Sequence, residues 1–289
     1  MTRISQLIYS PNKNNPLQNG IAKSTFNRSA VASYDHSNYT NQVSIEGKAT
    51  AQKSSGRCWI FACLNVIRVE MMRKYDLPES FELSQTYVFF WDKLERANFF
   101  LESMIQTRDE PLDGRLMTHL LSNTNLMSDG GQWDMLSNLI TKYGLVPKSK
   151  YPDPHAATSS RAMNLFLREK LRKFACELRS FKTDEEAKKA KPKMLEAIFE
   201  ALVIFLGEPP RTFDWTFTSK KKEKKTLRGL TGQAFLKDIV PYDFKTKISL
   251  INDPRNEYYK LYTVDYLGNV VGGSDVRYIN VRLSFSLSP

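Results

Sequence analysis

Histidine and cysteine are both scarce in this 289-residue chain, three of each, and their scarcity excludes several classes of protein. An odd cysteine count (Cys58, Cys63, Cys176) with no C-x-x-C pair argues against a disulfide framework and suits a reducing compartment. No Cys, His and acidic residues gather at metal-ligand spacing, so neither a metal nor another cofactor is expected. Long apolar runs are missing too. None approaches a membrane span, and the opening ISQLIY before Ser10-Pro11 is too brief for a signal-peptide core. There is no internal repeat and no phosphate-binding loop. These absences leave a cytoplasmic chain without membrane attachment.

What is abundant is apolar and basic. With 41% apolar and 12% aromatic residues the chain can bury a sizeable core, as one large domain or two. Lys and Arg number 42 against 31 Asp and Glu, a net charge of +11 whose field attracts acidic partners. Much of that charge is local. Lys220, Lys221, Lys222, Lys224 and Lys225 form one run between FDWTFTS and TLRGLTGQAF, and four more lysines from Lys188 to Lys193 crowd a helical stretch. Such runs are usually solvated loops and helix faces. The alternative is phosphate binding without sequence readout, although no recognised nucleic-acid motif accompanies it.

The chemistry concentrates at Gln52-Lys53-Ser54-Ser55-Gly56-Arg57-Cys58-Trp59. From Cys58 to Tyr75 the sequence has no Gly or Pro and is apolar nearly all round, before Arg68, Arg73 and Lys74 give it a polar end; this predicts a buried helix. Ser54, Ser55 and Gly56 read as turn and cap residues. Cys58 then sits in the first helical turn, where free backbone N–H groups and the helix dipole favour a thiolate. Gln52, six residues earlier, can donate its amide to an oxyanion alongside the backbone N–H of Cys58. A lone Cys at the head of an apolar helix is more often a small buried hydrophobe; the whole word, with Gln, the Ser-Ser-Gly turn and Cys-Trp in register, favours a nucleophile. Cys63 and Cys176 have no such setting and are expected in the core.

Coarse structure follows from punctuation. Ser84 caps a helix over TYVFFWDKLERANFFLESM, and the helix in GGQWDMLSNLITKYG ends at Gly144. After Tyr151-Pro152-Asp153-Pro154 a long helical stretch spans about 160–206, with a lysine-rich helical stretch beginning near Asp184 inside it, closed by Gly207 and Pro209-Pro210. Trp59, Trp91 and Trp133 read as core. KISLINDP and YYKLYTVDYL turn strand-like, and Val281, Leu283, Phe285 and Leu287 alternate with polar residues as one further strand.

QKSSGRCWIFACLNV resembles the active-site segment of the bleomycin hydrolase family, cytosolic papain-like cysteine aminopeptidases, more closely than that of secreted papain-like enzymes. ELSQTYVFFWDKLERANFFLE, DGGQWDMLSNLITKYGLVPK and INDPRNEYYKLYTVDYLGNVVGG agree in order, so the likeness runs from about Ala49 to Gly273. The resemblance implies an α+β papain-like fold, present mainly as its helical lobe. It divides the chain into an arm (1–48), a helical lobe bearing Cys58 (49–150), a helical insertion with the Lys-rich loop (151–245), and the start of a second lobe with a divergent tail (246–289). It makes Cys58 the nucleophile and Gln52 the oxyanion residue. Asp129-Gly130-Gly131-Gln132 looks like the glycine pair that holds substrate backbone; by residue pattern alone an ordinary loop before a helix serves equally.

The family's catalytic His and Asn lie on the second lobe, and nothing here matches their motifs. His36, His119 and His155 all precede the second lobe; His119 falls in a helical pattern and His155 in a loop, and both read as structural or solvated. The expectation is a thiol aminopeptidase acting on peptide amino termini, inactive in this form. The resemblance also implies a six-subunit ring with a basic central channel, some members of which bind nucleic acid. The competing expectation is therefore a non-catalytic basic subunit that binds nucleic acid or disturbs ring assembly.

Overall fold

The computed structural model describes residues 32–33, 41, 44–123, 125–244 and 246–282. Most of the expected arm, His36 and the alternating tail positions Leu283, Phe285 and Leu287 lie outside the described residues. The chain divides into a unit of residues 1–44 and a unit of residues 45–289, and the second holds the core.

Helix α1 (Cys58–Tyr75) forms where its unbroken apolar run predicts. Ile60, Leu64, Ile67 and Met71 recur at helical spacing and are fully buried. Asp76, in the left-handed region at φ 52°, ends the helix with its N–H on the Met72 carbonyl. Arg68 corrects the expected polar end: it is buried, and its guanidinium donates to the Lys48 carbonyl at 2.7 Å. Helix α2 (Gln85–Gln106) starts at Ser84, whose Oγ accepts from Tyr87 N–H at 3.1 Å. It is buried on nearly every face because α1, α4 (Trp133–Tyr143), α6 (Arg161–Ser180) and α7 (Asp184–Leu206) all pack on it. Between them lie α3 (Arg115–Leu121) and the short α5 (His155–Thr158), so His155 opens a helical turn rather than a loop.

The long helical stretch read over about 160–206 is two helices, α6 and α7, and the helical stretch read as beginning near Asp184 is α7. Phe181, Lys182 and Thr183 break it, and Thr183 with Glu186 forms a capping box: Thr183 Oγ1 accepts from Glu186 N–H while the Glu186 carboxylate accepts from Thr183 N–H.

Two small sheets complete the α+β architecture. Strands β1 (Phe213–Thr218) and β2 (Lys224–Leu230) form an antiparallel hairpin whose Trp215 is buried against Tyr75, Phe81 and Phe235. Helix α8 (Gly232–Asp238) follows. Its first residue meets Gly144 backbone to backbone: Gly144 has φ +77°, and a Cβ there would lie 2.0 Å from the Gly232 carbonyl carbon. The second sheet has the order β3-β5-β4, from β3 (Ser249–Ile251), β4 (Leu261–Thr263) and β5 (Arg277–Asn280), with β5 parallel to β3 and antiparallel to β4. Buried Asn280 stitches its loops, donating from Nδ2 to the carbonyls of Asp253, Asn256 and Glu257. The sheet is tied to α4 by Arg277 on Asp134 and Ser274 on Asn138. Among the described residues no helix is long and apolar enough to cross a membrane.

Candidate active site

Cys58 is the first residue of α1 and is exposed. Its helix begins without a side-chain cap: the N-cap is Arg57 (φ −83°, ψ 15°), not one of the small residues before it. The expected capping by Ser54, Ser55 and Gly56 is therefore corrected. Ser55 Oγ instead bonds the Gln52 carbonyl at 2.7 Å and accepts from Arg57 Nε at 2.9 Å. Leaving the first-turn N–H groups without a side-chain acceptor keeps their partial positive charge for a ligand.

Two buried ion pairs lock the turn. Arg57 has a fully buried side chain, and its Nη1 reaches Asp153 Oδ1 at 3.0 Å and Thr86 Oγ1 at 3.2 Å between the rings of Phe61 and Phe89. On the other side Gly56 N–H donates to Asp129 Oδ2 at 3.1 Å, and Trp59 Nε1 donates to the Asp129 carbonyl at 2.6 Å. Asp129 Oδ1 meets the buried Lys93 ammonium at 2.7 Å and accepts from Asn164 Nδ2 at 2.6 Å; Ser160 Oγ donates to Oδ2. Burial alone would raise the Asp129 carboxyl, but Lys93, Ser160 and Gly56 outweigh it and hold it well below the usual carboxylate range. Burial lowers the Lys93 ammonium, and Asp129 and Asp92 oppose that.

Of the four residues read as substrate-binding, Asp129 thus has both carboxylate oxygens engaged inside the protein. Gly131 is required by Trp59: a Cβ on Gly131 would lie 2.8 Å from the indole ring. Gly130 is exposed, with its N–H on Ser128 Oγ at 3.2 Å and its carbonyl accepting from Arg96. Gln132 is the exposed N-cap of α4. Gln52 is half-buried, its Oε1 without a hydrogen-bond partner among the described residues.

The other thiols separate cleanly. Cys63 is buried and its thiol is pushed up to about 12 by burial, as an inert core residue should be. Cys176 does not join the core as expected; it lies on the exposed face of α6. His119 and His155 are both exposed, and His119 Nδ1 lies 2.9 Å from Asn125 Nδ2. The lysine run caps the β1–β2 hairpin, with Lys220, Lys221 and Lys222 at its turn and Lys224 and Lys225 opening β2, all exposed. Sequence reading missed Lys93, Asp153, Ser160 and Asn164, which position the thiol from a distance. A signal existed for one of them, since a lysine inside the apolar text of α2 must find a buried anion.

A helical layer presenting an exposed cysteine at an uncapped helix start, six residues after a half-buried glutamine, fits a papain-like cysteine peptidase fold. The chain belongs to the Peptidase C1-like family, whose model matches residues 6–287. That match extends past the Ala49–Gly273 limits read from the sequence. The chain is 45% identical over 258 residues to bleomycin hydrolase of Mus musculus, covering 86% of this chain and 56% of that protein. It is 42% identical over 273 residues to aminopeptidase C of Lactobacillus delbrueckii subsp. lactis, covering 92% of this chain and 60% of the relative. The crystal structure of PepW from Lactobacillus rhamnosis HN001 superimposes with a TM-score of 0.85 at 41% identity, over 92% of this chain and 60% of the other. The chain therefore spans a little over half the length of these relatives.

Proposed function

We propose that this chain carries the nucleophile and oxyanion donors of a cysteine aminopeptidase. The observation behind it is the exposed Cys58 at an uncapped helix start, held by the Gly56–Asp129 and Arg57–Asp153 ties. The Cys58 thiolate attacks the carbonyl carbon of the substrate's first residue. Backbone N–H groups at the start of α1 and the Gln52 amide receive the oxyanion, the amine departs with a proton, and water hydrolyses the thioester. Expelling the amine needs a proton donor. Among the described residues no imidazole hydrogen-bonds Cys58, so this chain alone performs the attack without the relay and does not turn over.

The test uses the 289-residue chain. A neutral amino-acyl acyloxymethyl ketone should label Cys58 and leave Cys58→Ala unlabelled, while an amino-terminal fluorogenic substrate shows no sustained release. Failure to label the folded chain would remove the nucleophile assignment; sustained release lost in Cys58→Ala would remove the inactivity.

The exposed lysine hairpin favours a second reading, in which the chain is a non-catalytic basic subunit that binds nucleic acid or joins or poisons a ring assembly. Retention on a polyanion column should then fall steeply with salt and drop when Lys220, Lys221, Lys222, Lys224 and Lys225 are neutralised. Retention unchanged by that neutralisation removes this reading.

A further inference from the structure

A cavity of about 380 Å³ opens beside the Cys58 turn, walled by Lys53, Ser54, Ser55, Gly56, Asp129, Ser160, Arg161, Asn164 and Arg168. The turn that leads into Cys58 is one wall, and the start of α6 is the other. Three cations line it, and among the described residues none of Lys53, Arg161 and Arg168 lies within ion-pair distance of a carboxylate. The one acid in the wall, Asp129, is matched at 2.7 Å by buried Lys93 and adds no net negative charge.

Backbone adds to this field. The N-cap of the 20-residue helix α6 is Ser160, which makes no side-chain cap bond because its Oγ donates to Asp129 instead. Its first turn contains no acid, and its first residue is Arg161. A cation at that end opposes the helix dipole and costs stability. A positive side chain in an unfavourable place, over an uncapped helix start facing a cavity, is the arrangement of a site for an anionic group.

The geometry points to a specificity pocket beside Cys58 that takes an acidic substrate side chain, Asp or Glu, next to the carbonyl under attack. The inference rests on Cys58 being the nucleophile. Lys53, Arg161 and Arg168 supply attraction, and the start of α6 supplies uncapped N–H groups. Lys53 sits at φ 56°, so its backbone is fixed in the left-handed region and its side chain leaves the turn at a set angle.

The test reads labelling rates and needs no turnover. Aspartyl, lysyl and leucyl acyloxymethyl ketones are reacted with the full chain; the thiolate sulfur bonds the ketone methylene and the acyloxy carboxylate leaves. Mass spectrometry follows modification at Cys58. The expected result is aspartyl over lysyl by about tenfold at low salt, shrinking severalfold in 0.5 M salt as exposed charges are screened. In Lys53→Asn/Arg161→Glu, where Asn tolerates the left-handed backbone, the aspartyl-to-lysyl ratio should fall to about one or below. Arg161→Gln alone should give an intermediate ratio, which keeps the inference exposed to refutation if the double variant misfolds. Equal aspartyl and lysyl rates in the unmodified chain, or a preference that survives both variants, overturns the pocket while the leucyl probe still marks Cys58 as nucleophile. If no probe labels the folded chain but all label it once denatured, the nucleophile reading fails and takes the pocket with it.

Discussion

Asp129 gathers Gly56, Lys93, Ser160 and Asn164 on one carboxylate, so its charge state governs how firmly the thiol is held. Its folded-state affinity for a proton lies well below the reference value of 3.8. The stabilisation it gives is therefore complete above about pH 4 and is lost as pH falls through the folded-state value. Asp153 is shifted in the same direction, burial being outweighed by Thr86, Arg57 and Lys148. Unfolding midpoints should drop steeply on acidification below pH 4, and Asp129→Asn should be weaker at pH 7 yet lose less on acidification; a parallel loss in both proteins would refute this role. Lys93→Met leaves the carboxylate buried and unpaired and should cost about 3 kcal/mol in urea unfolding. The two glycines should separate. Gly131→Ala drives a Cβ to 2.8 Å from the Trp59 ring and should cost about 1–3 kcal/mol, whereas at Gly130 the nearest atom is 3.7 Å away and Ala should be near neutral.

Among the elements, helix boundaries were legible where local chemistry sets them. Ser84 and Gly144 mark the ends the sequence announces, and α1 runs its full predicted length. The α6–α7 break is also written locally, as Thr183 three residues before Glu186, and the helical stretch read from near Asp184 marks its far side; the continuous apolar spacing concealed only the end of α6 at Ser180. Thr183→Ala should remove that cap and lower the thermal midpoint by an amount matching about 1 kcal/mol; an unchanged midpoint would show that packing alone fixes the start of α7. How the start of α1 is anchored was not legible. Its N-cap geometry is set by Arg57 reaching Asp153, a partner 96 positions away, and no local pattern reports so distant an anchor. The hairpin strands escaped for a related reason. A signal existed for β1, because Phe213, Trp215 and Phe217 alternate with Asp214, Thr216 and Thr218, but so short an alternation beside a charge run reads as loop until Trp215 finds Tyr75 and Phe81 elsewhere in the chain.

For the whole molecule, the second sheet decides the behaviour in solution. Leu250 and Leu261 both lie opposite Ile279, so the three side chains share one face, and the two leucines are 60% and 61% exposed. With Ile248 also exposed, this apolar row should bind a hydrophobic dye and promote self-association as concentration rises. Leu250→Lys/Leu261→Lys should reduce both; dye binding that persists would place the sticky surface elsewhere. The deep burial of Arg57 has a different consequence. Its peptide bond to Cys58 is the one a trypsin-like protease would cut to leave an amino-terminal cysteine, whose amine and thiol together condense with aldehydes into a stable ring. While the guanidinium stays sealed between Phe61, Phe89 and Asp153, that bond is withheld from any protease. Appearance of the ring-forming cysteine under brief trypsin treatment thus counts molecules in which the turn has come undone.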